Sequence, residues 1–365
     1  MTSKERLLTA LRNQKPDHVP AAPDFWEMIP IRFSKRKSWE VLVYQDPPAW
    51  KANIDACTYF GVDAFLPLFV PFETDPATAI IQSEENKMIT RQFSENNGKR
   101  TWSAFVCVYT PNEPCSVVSA SAAGFGDNHT DYKIVKSNIS QVGQDYYKLA
   151  CDYMGDKGLI VPVVCMPSLG HTQEDMYEYY DNPEAVVERM NNGGEAMMQR
   201  VKEIVSWKLP VLAIGNSGLM LFNPPPIFRK LTLGWMQKLT RYAKENGVLT
   251  HIHCCGTERS LVEIAAEETD LTSIEPLEIP PMGDCDLKEI KLKYGRKLAL
   301  KGNLHTTEVM LFGTREKVET ECKKAIDDAA DGGGFILSTG DQTPRDTPEE
   351  NIFALQKIAE TYGKY

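Results

Sequence analysis

From about residue 140 onwards, short apolar runs alternate regularly with longer amphipathic stretches. Short apolar runs bounded by turn residues are typical of buried strands. The predicted strands span residues 158–165, 211–215, 249–253, 271–275, 297–302 and 334–338. Apolar residues at helical spacing predict helices over residues 141–156, 183–206, 225–246, 258–268, 286–294, 315–331 and 347–362. Strands that alternate with helices in this way indicate parallel β-α-β units, covered on both faces.

Two earlier apolar runs bring the number of predicted strands to eight. The first covers residues 19–27, where prolines limit strand pairing to the end of the run, and the second covers residues 62–70. A short amphipathic helix over residues 3–13 precedes both. Eight such units predict an α/β protein with a (β/α)8 TIM barrel, and a doubly wound sheet is the alternative.

Residues 75–135 interrupt this regular order with a different pattern. Alternating runs over 88–93 and 100–109 flank an Asn97-Gly98 pair. An Asn-Gly pair between alternating runs is a strong signal for a β-hairpin. We therefore expect a hairpin insertion above the barrel after the second strand, and a single TIM-barrel domain over residues 1–365.

Composition narrows the classes of function. The net charge of −10 and the lack of a concentrated basic patch argue against binding to nucleic acid or to an anionic membrane. The first residues carry no apolar signal core, and no run of about 18 apolar residues occurs, so we expect a cytoplasmic protein. The nine cysteines are irregularly spaced, which predicts reduced thiols rather than a disulfide framework.

Polar side chains follow each of the eight predicted strands. The carboxyl ends of barrel strands meet at one mouth, so residues far apart in the sequence should converge there. In strand order these residues are Asp24 and Glu27, Glu73, His171, Asn216, His253 and Cys255, Glu275 and Glu278, Asn303 and His305, and Asp341 and Gln342.

The densest group of metal-binding residue types lies in the fifth strand, in Val248-Leu-Thr-His-Ile-His-Cys-Cys-Gly256. Side chains alternate along a strand, so His251, His253 and Cys255 share one face while Cys254 points to the other. His253 and Cys255, at the end of the strand, are placed to hold one metal ion. The alternative is a buried strand with inert thiols and a hydrogen-bonded core histidine.

Five motifs occur in order along the chain: Arg6-Leu-Leu-Thr-Ala-Leu-Arg12, Pro16-Asp-His-Val-Pro20, His253-Cys-Cys-Gly256, Lys301-Gly-Asn-Leu304 and Pro344-Arg-Asp-Thr-Pro-Glu-Glu-Asn-Ile352. Together they resemble the uroporphyrinogen decarboxylase superfamily, including its zinc-dependent corrinoid methyltransferase branch. In order and spacing the resemblance spans nearly the whole chain.

The resemblance favours the methyltransferase branch over the decarboxylases. Decarboxylases of the superfamily carry Met-Arg-Gln-Ala-Gly-Arg near the N-terminus and an aspartate in Phe-Ser-Asp-Ile. This chain has Asp24-Phe-Trp-Glu-Met28 and Leu68-Phe-Val-Pro-Phe72 in those places. A tetracarboxylate substrate requires cationic partners, so decarboxylation of a porphyrinogen is not expected.

The resemblance also implies a zinc cofactor. In the methyltransferase branch the ligands are the histidine and cysteine of His-x-Cys-Gly and a cysteine after the last strand. His253 and Cys255 match the first two, and the position of the third holds Asp341. Aspartate is a competent zinc ligand, and Glu275 is a plausible fourth or competing ligand. We therefore assign catalytic roles to His253, Cys255 and Asp341; the alternative for Asp341 is a loop or helix-capping carboxylate.

The reaction implied is transfer of a methyl group from an O-methylated small molecule to the cobalt of a corrinoid on a separate protein. A carboxylate in place of a thiolate makes zinc a harder Lewis acid, which suits a leaving oxygen. The run Asp127-Asn-His-Thr-Asp-Tyr132 lacks the glycine of a cobalt-ligating Asp-x-His-x-x-Gly motif, so the corrinoid should reside on a partner. The residues expected to bind substrate are Asp24, Trp26, Glu27, His171, Asn216 and His305.

Three other functions stay open at this point. The same fold could methylate a thiol acceptor such as coenzyme M. It could decarboxylate a smaller acid without metal. It could also be a non-catalytic binding subunit with inert cysteines.

Overall fold

The computed structural model describes residues 1–126, 128–170 and 172–365. Its strands are β1 (Ala64–Leu68), β2 (Ala77–Glu84), β3 (Lys87–Asn96), β4 (Lys99–Tyr109), β5 (Ser116–Ser119), β6 (Lys133–Ile134), β7 (Gly158–Val164), β8 (Val211–Gly215), β9 (Leu249–His253), β10 (Ser273–Glu275), β11 (Ala299–Leu304) and β12 (Phe335–Thr339).

Helices connect the strands from residue 143 onwards, as the amphipathic pattern predicts. The helices are α1 (Ser3–Leu11), α2 (Met28–Ser34), α3 (Ser38–Leu42), α4 (Ala49–Phe60), α5 (Gly143–Met154), α6 (Gln173–Asp181), α7 (Pro183–Ser206), α8 (Leu219–Phe222), α9 (Pro225–Leu231), α10 (Leu233–Glu245), α11 (Arg259–Glu268), α12 (Leu287–Tyr294), α13 (Arg315–Ala329) and α14 (Glu349–Thr361), with a π-helical turn at Thr306–Leu311.

The helices differ from the sequence pattern in several places, and α2, α3, α4 and α8 were not predicted at all. The expected helix over 225–246 is divided into α9 and α10 at the buried Thr232, whose hydroxyl donates a hydrogen bond to the Pro167 carbonyl at 2.9 Å. The short helix α6 was not predicted, because none of its residues is fully buried and only Met176 and Tyr179 pack, partly buried, against a core cluster.

Two compact units form within the chain. The first contains residues Met1–Asp24, Cys57–Phe69 and Met154–Tyr365, and the second contains Phe25–Ala56 and Val70–Tyr153. The first unit holds a seven-stranded parallel sheet in the order β1-β7-β8-β9-β10-β11-β12. This curled sheet, with its intervening helices, confirms the α/β class and a TIM-barrel-like fold.

The first predicted strand, residues 19–27, is reduced to a single parallel bridge between Ala21 and Leu337. Leu337 donates its amide to the Pro20 carbonyl, and Ala22 donates to the Leu337 carbonyl, both at 2.9 Å. On the other side, the Asp63 amide donates to the Ala21 carbonyl at 2.7 Å. Residues 20–22 therefore occupy the eighth position, between β12 and β1. Pro20 and Pro23 lack an N–H group, so the ladder does not extend further.

A buried ion pair secures this eighth position. The Asp63 carboxylate accepts hydrogen bonds from the Ala21 amide at 3.0 Å and from Arg6 Nη1 of α1 at 2.6 Å. The other side of the Arg6 guanidinium contacts Asp17 at 2.8 Å, and that contact holds the pKa of Asp17 far below its usual range. The apolar face of α1 packs against the barrel through Leu7, Ala10 and Leu11.

The second unit contains the expected hairpin as part of a larger antiparallel sheet. Its strand order is β5-β4-β3-β2-β6. The turn between β3 and β4 has positive φ angles at Asn97 (52°) and Gly98 (75°), as an Asn-Gly hairpin turn requires. The predicted insertion over 75–135 lies within this unit, which also contains residues 25–56. That the chain forms one domain stays a prediction.

The helices of the described residues include none that combines the length and apolar composition needed to cross a bilayer. A cytoplasmic location stays a prediction.

Gly158→Ala should destabilise the barrel. An added Cβ would lie 1.9 Å from the carbonyl oxygen of Ala64, the paired residue of β1, and a backbone atom there cannot move aside cheaply. We expect a loss of about 1–3 kcal/mol of unfolding free energy in urea denaturation. Gly234→Ala in α10 is the control, since no atom lies within 4 Å of its added Cβ. It should be neutral or stabilising by up to about 1 kcal/mol. Equal effects of the two substitutions would contradict the packing described here.

Candidate metal centre

Strand β9 carries the centre of the site. It pairs with β8 and β10, and the register places His253 beside Gly215 on one side and Glu275 on the other. His251 and Cys254 are fully buried, whereas His253 and Cys255 are half-buried. The predicted alternation therefore gives His253 and Cys255 the accessible positions at the end of the strand.

Asp341, shortly after the last strand, lies close to His253 and Cys255. One ligand atom from each of His253, Cys255 and Asp341 lies within 4.8 Å of the other two. His253 Nε2 is 3.7 Å from Asp341 Oδ1. These nitrogen, sulfur and oxygen donors suit a three-residue zinc site with a fourth position left for a reactant.

The backbone at Asp341 is strained. Its φ angle is 129°, a conformation that non-glycine residues rarely adopt. The preceding Gly340 donates its amide to the Leu304 carbonyl at 2.7 Å, which anchors the turn to the end of β11. Strain of this kind is common where a side chain is held for function. Here it directs the carboxylate towards His253.

Glu275 lies behind His253 and is almost completely buried. Its Oε1 is 3.3 Å from His253 Nδ1 and 3.2 Å from His251 Nε2, and its Oε2 accepts a hydrogen bond from the buried Lys301. Burial alone would raise the pKa of Glu275, but Lys301 and His251 outweigh burial and hold it well below the usual range. Glu275 is therefore a carboxylate that binds the Nδ1 proton of His253.

This contact fixes the imidazole of His253. A proton on Nδ1, donated to Glu275, leaves the Nε2 lone pair directed to the side where Asp341 lies. Burial would lower the pKa of His253, but Cys255 and Glu275 outweigh burial and raise it well above its ordinary value. In the absence of metal the centre therefore favours a second proton, on Nε2, which a metal ion would have to displace.

Asp24 defines a second, overlapping cluster. Its carboxylate has an oxygen within 4.8 Å of ligand atoms of His253 and Glu275. Its backbone is held by Thr339 and Thr343, through hydrogen bonds of 3.1 and 2.7 Å. Burial raises the pKa of Asp24 to about 6, against the opposing charge of Lys301. Asp24 is therefore a further acid within reach of the same histidine.

The other predicted residues have different local roles. The amide of Asn216 is engaged with the backbone of Met166, which donates to Oδ1 at 2.9 Å and accepts from Nδ2 at 3.2 Å. His305 caps the π-helical turn, since its Nδ1 accepts from the amides of Thr307 and Glu308. Substrate binding by either residue stays a prediction.

The remaining candidates lie elsewhere in the chain. Trp26 and Glu27 belong to the second unit, where the Glu27 carboxylate accepts from the Cys115 amide at 3.5 Å. His171 and Asp127 lie outside the described residues. His129 of the incomplete cobalt-binding motif has its Nε2 2.9 Å from Arg91 Nη1.

Sequence reasoning missed the support of the site by Lys301, His251 and Ser273. His251 Nδ1 is 2.9 Å from the Ser273 hydroxyl, and the Phe65 ring contacts His251 edge-on with centroids 4.8 Å apart. The available signal was Lys301 itself, a lysine inside an apolar strand, which must find a buried partner.

Comparison with known proteins identifies the family. Residues 168–362, more than half of the chain, match the uroporphyrinogen decarboxylase (URO-D) family. The chain therefore belongs to this family. A search of curated proteins found no match.

Two solved structures are similar over nearly the whole chain. One is a methyltransferase from Methanosarcina mazei, with a TM-score of 0.65, 18% identity and 99% of each chain covered. The other is a B12-independent methionine synthase from a Shewanella species, with a TM-score of 0.52, 12% identity, and 94% of this chain and 98% of that chain covered. At these identities the similarity is one of fold.

Lys301→Met should destabilise the protein strongly, because it leaves the buried Glu275 carboxylate without its cationic partner. We expect a loss of about 3–5 kcal/mol of unfolding free energy in urea denaturation. The double variant Lys301→Met with Glu275→Gln should recover much of this loss. Lys293→Met, which removes an exposed pair with Glu289, is the control and should change little. A double variant no more stable than Lys301→Met alone would contradict the coupling.

Proposed function

We propose that this chain is a zinc-dependent methyltransferase that moves a methyl group between an O-methylated small molecule and the cobalt of a separate corrinoid protein. The observation that carries the proposal is the convergence of His253, Cys255 and Asp341 at the ends of β9 and β12. Membership of the URO-D family and the shared fold with a methyltransferase and a methionine synthase support it as analogy.

The donor set fits zinc. Histidine nitrogen, cysteine sulfur and aspartate oxygen are all common zinc ligands, and catalytic zinc sites use three protein ligands with one open position. Zinc bound there would supply Lewis-acid chemistry for the atom that gains or loses the methyl group. The oxygen of Asp341, in place of a second sulfur, favours a substrate that leaves through oxygen.

Glu275 and Lys301 support the proposed ligand His253. Glu275 holds the Nδ1 proton of His253 and so keeps Nε2 available as a ligand. Lys301 keeps Glu275 ionised, so this arrangement persists at neutral pH. Because its two oxygens already contact His253 and Lys301, Glu275 is better suited to positioning His253 than to binding the metal.

Asp24 is the residue that we propose contacts the substrate next to the metal ligands. Its carboxyl group reaches the neighbourhood of His253 without belonging to the His253, Cys255 and Asp341 set. We assign it to hydrogen bonding with a hydroxyl group of the methylated compound, next to the methoxy oxygen. Trp26, Glu27, His171, Asn216 and His305 remain the other proposed substrate contacts.

Zinc binding should depend on Cys255 and Asp341 but not on Cys254. Purified wild-type protein should contain about one zinc ion per chain by elemental analysis. Cys255→Ala and Asp341→Asn should each weaken zinc binding by at least about 100-fold in competition with a chromogenic chelator. Asp341→Cys should retain the metal. Cys254→Ala is the matched control, since its thiol is fully buried and alternation along the strand turns it away from Cys255, so its loss should leave zinc bound. Equal zinc affinity of Asp341→Asn and the wild type would remove Asp341 from the ligand set.

Methyl transfer should require the same ligands. With methoxylated aromatic compounds and cob(I)alamin, Cys255→Ala should lower the rate of methylcobalamin formation by roughly 1,000-fold, equivalent to about 4 kcal/mol of lost transition-state stabilisation. Cys254→Ala should keep most of the rate. An undiminished rate in Cys255→Ala, or in zinc-depleted protein, would contradict the mechanism.

The same assay separates the alternatives. Methylation of a thiol by free methylcobalamin, without reaction of any methoxy compound, would favour a coenzyme M-type methyltransferase. Release of carbon dioxide from a small acid by zinc-free protein would favour a decarboxylase.

A further inference from the structure

Two cysteines of the second unit lie at one end of its antiparallel sheet. Cys107 is in β4, and Cys115 immediately precedes β5. The register pairs Cys107 with Val117 and Val108 with Ser116, so its extension by one residue would place Cys115 opposite Tyr109. Side chains alternate along strands, which places Cys107, Tyr109 and Cys115 on the same face. Segment 110–114 connects Tyr109 to Cys115.

The two thiols differ in their chemistry. Interaction with the Cys115 thiol lowers the pKa of Cys107 to about 7, with help from the hydroxyls of Tyr109 and Thr90 and against burial and the charge of Glu27. The same interaction raises the pKa of Cys115. Cys107 is therefore partly ionised near neutral pH, while Cys115 keeps its proton. A thiolate with a pKa near the ambient pH is the most effective attacker in thiol–disulfide exchange.

Five of the other cysteines lack this combination. Cys57, Cys254, Cys285 and Cys322 are buried, and burial raises the pKa of each thiol. Cys165 is an exposed residue, but partial burial of its thiol raises its pKa. Cys107 and Cys115 are half-buried free thiols, open to a small reagent.

We propose that Cys107 and Cys115 form a redox-active dithiol, a modification site that a small-molecule disulfide converts reversibly into an intramolecular disulfide. The placement of both thiols on one face of the β4–β5 ladder carries this assignment. It does not depend on the methyltransferase function proposed above.

The chemistry balances in two exchange steps. The Cys107 thiolate attacks one sulfur of the small disulfide, which forms a mixed disulfide and releases one thiolate. The Cys115 thiol then loses its proton to solvent and attacks the Cys107 sulfur, which releases the second thiolate. Two protein thiols are oxidised, and one small disulfide is reduced to two thiols.

Peptide mapping after treatment with oxidised glutathione at pH 7 tests the assignment on the full-length wild-type protein. We expect two thiols to disappear, a cross-link between the peptides carrying Cys107 and Cys115, and full return of both thiols with dithiothreitol. Iodoacetamide should alkylate Cys107 at least about tenfold faster than Cys165 at pH 7, since a thiol of ordinary pKa is only a few per cent ionised there.

Single variants show the order of attack. Cys115→Ser should trap a stable glutathione adduct on Cys107, and Cys165→Ser, the control, should still form the cross-link. The proposal is overturned if oxidation leaves Cys107 and Cys115 reduced, if wild-type Cys107 stops at the glutathione adduct, or if Cys107 reacts no faster than Cys165. The mapping of wild-type protein decides the question even if a variant fails to fold.

Discussion

The candidate site depends on one buried ion pair, between Glu275 at the end of β10 and Lys301 within β11. A charged lysine and a charged glutamate in a barrel interior are each very unfavourable alone, and they are tolerated only together. The pair keeps an anionic carboxylate against His253 Nδ1. The Glu275–Lys301 pair therefore determines that Nε2 of His253, and not Nδ1, faces the mouth of the barrel.

The residues that close the barrel determine which side chains lie close to His253. Residues 20–22 pair with the edge of β12. In the sequence, Asp24 comes shortly after residues 20–22, and Asp341 comes shortly after β12. Asp341 is held in a strained conformation close to His253 Nε2, and Asp24 approaches the same imidazole. One histidine is thus surrounded by three carboxylates with different tasks. Glu275 positions the imidazole, Asp341 is the proposed ligand, and Asp24 is the proposed substrate contact.

Periodicity predicts the barrel well because buried parallel strands and amphipathic helices leave clear patterns, as in 249–253 and 183–206. It also selects Cys255 over Cys254, since alternation along one strand is a local property. It could not predict that Asn216 is engaged with the Met166 backbone, or that His305 caps a π-helical turn, because those contacts depend on tertiary packing. Lys301 was overlooked for the same reason: its partner Glu275 belongs to the neighbouring strand.

Zinc K-edge X-ray absorption on purified protein tests the central claim most directly, because it counts sulfur ligands on the metal. The ligand set His253, Cys255 and Asp341 predicts one sulfur at about 2.3 Å, with nitrogen and oxygen ligands near 2.0–2.2 Å. In Asp341→Cys the sulfur count should rise to two. A zinc ion without any sulfur ligand, or a sulfur count that stays at one in Asp341→Cys, would contradict the account.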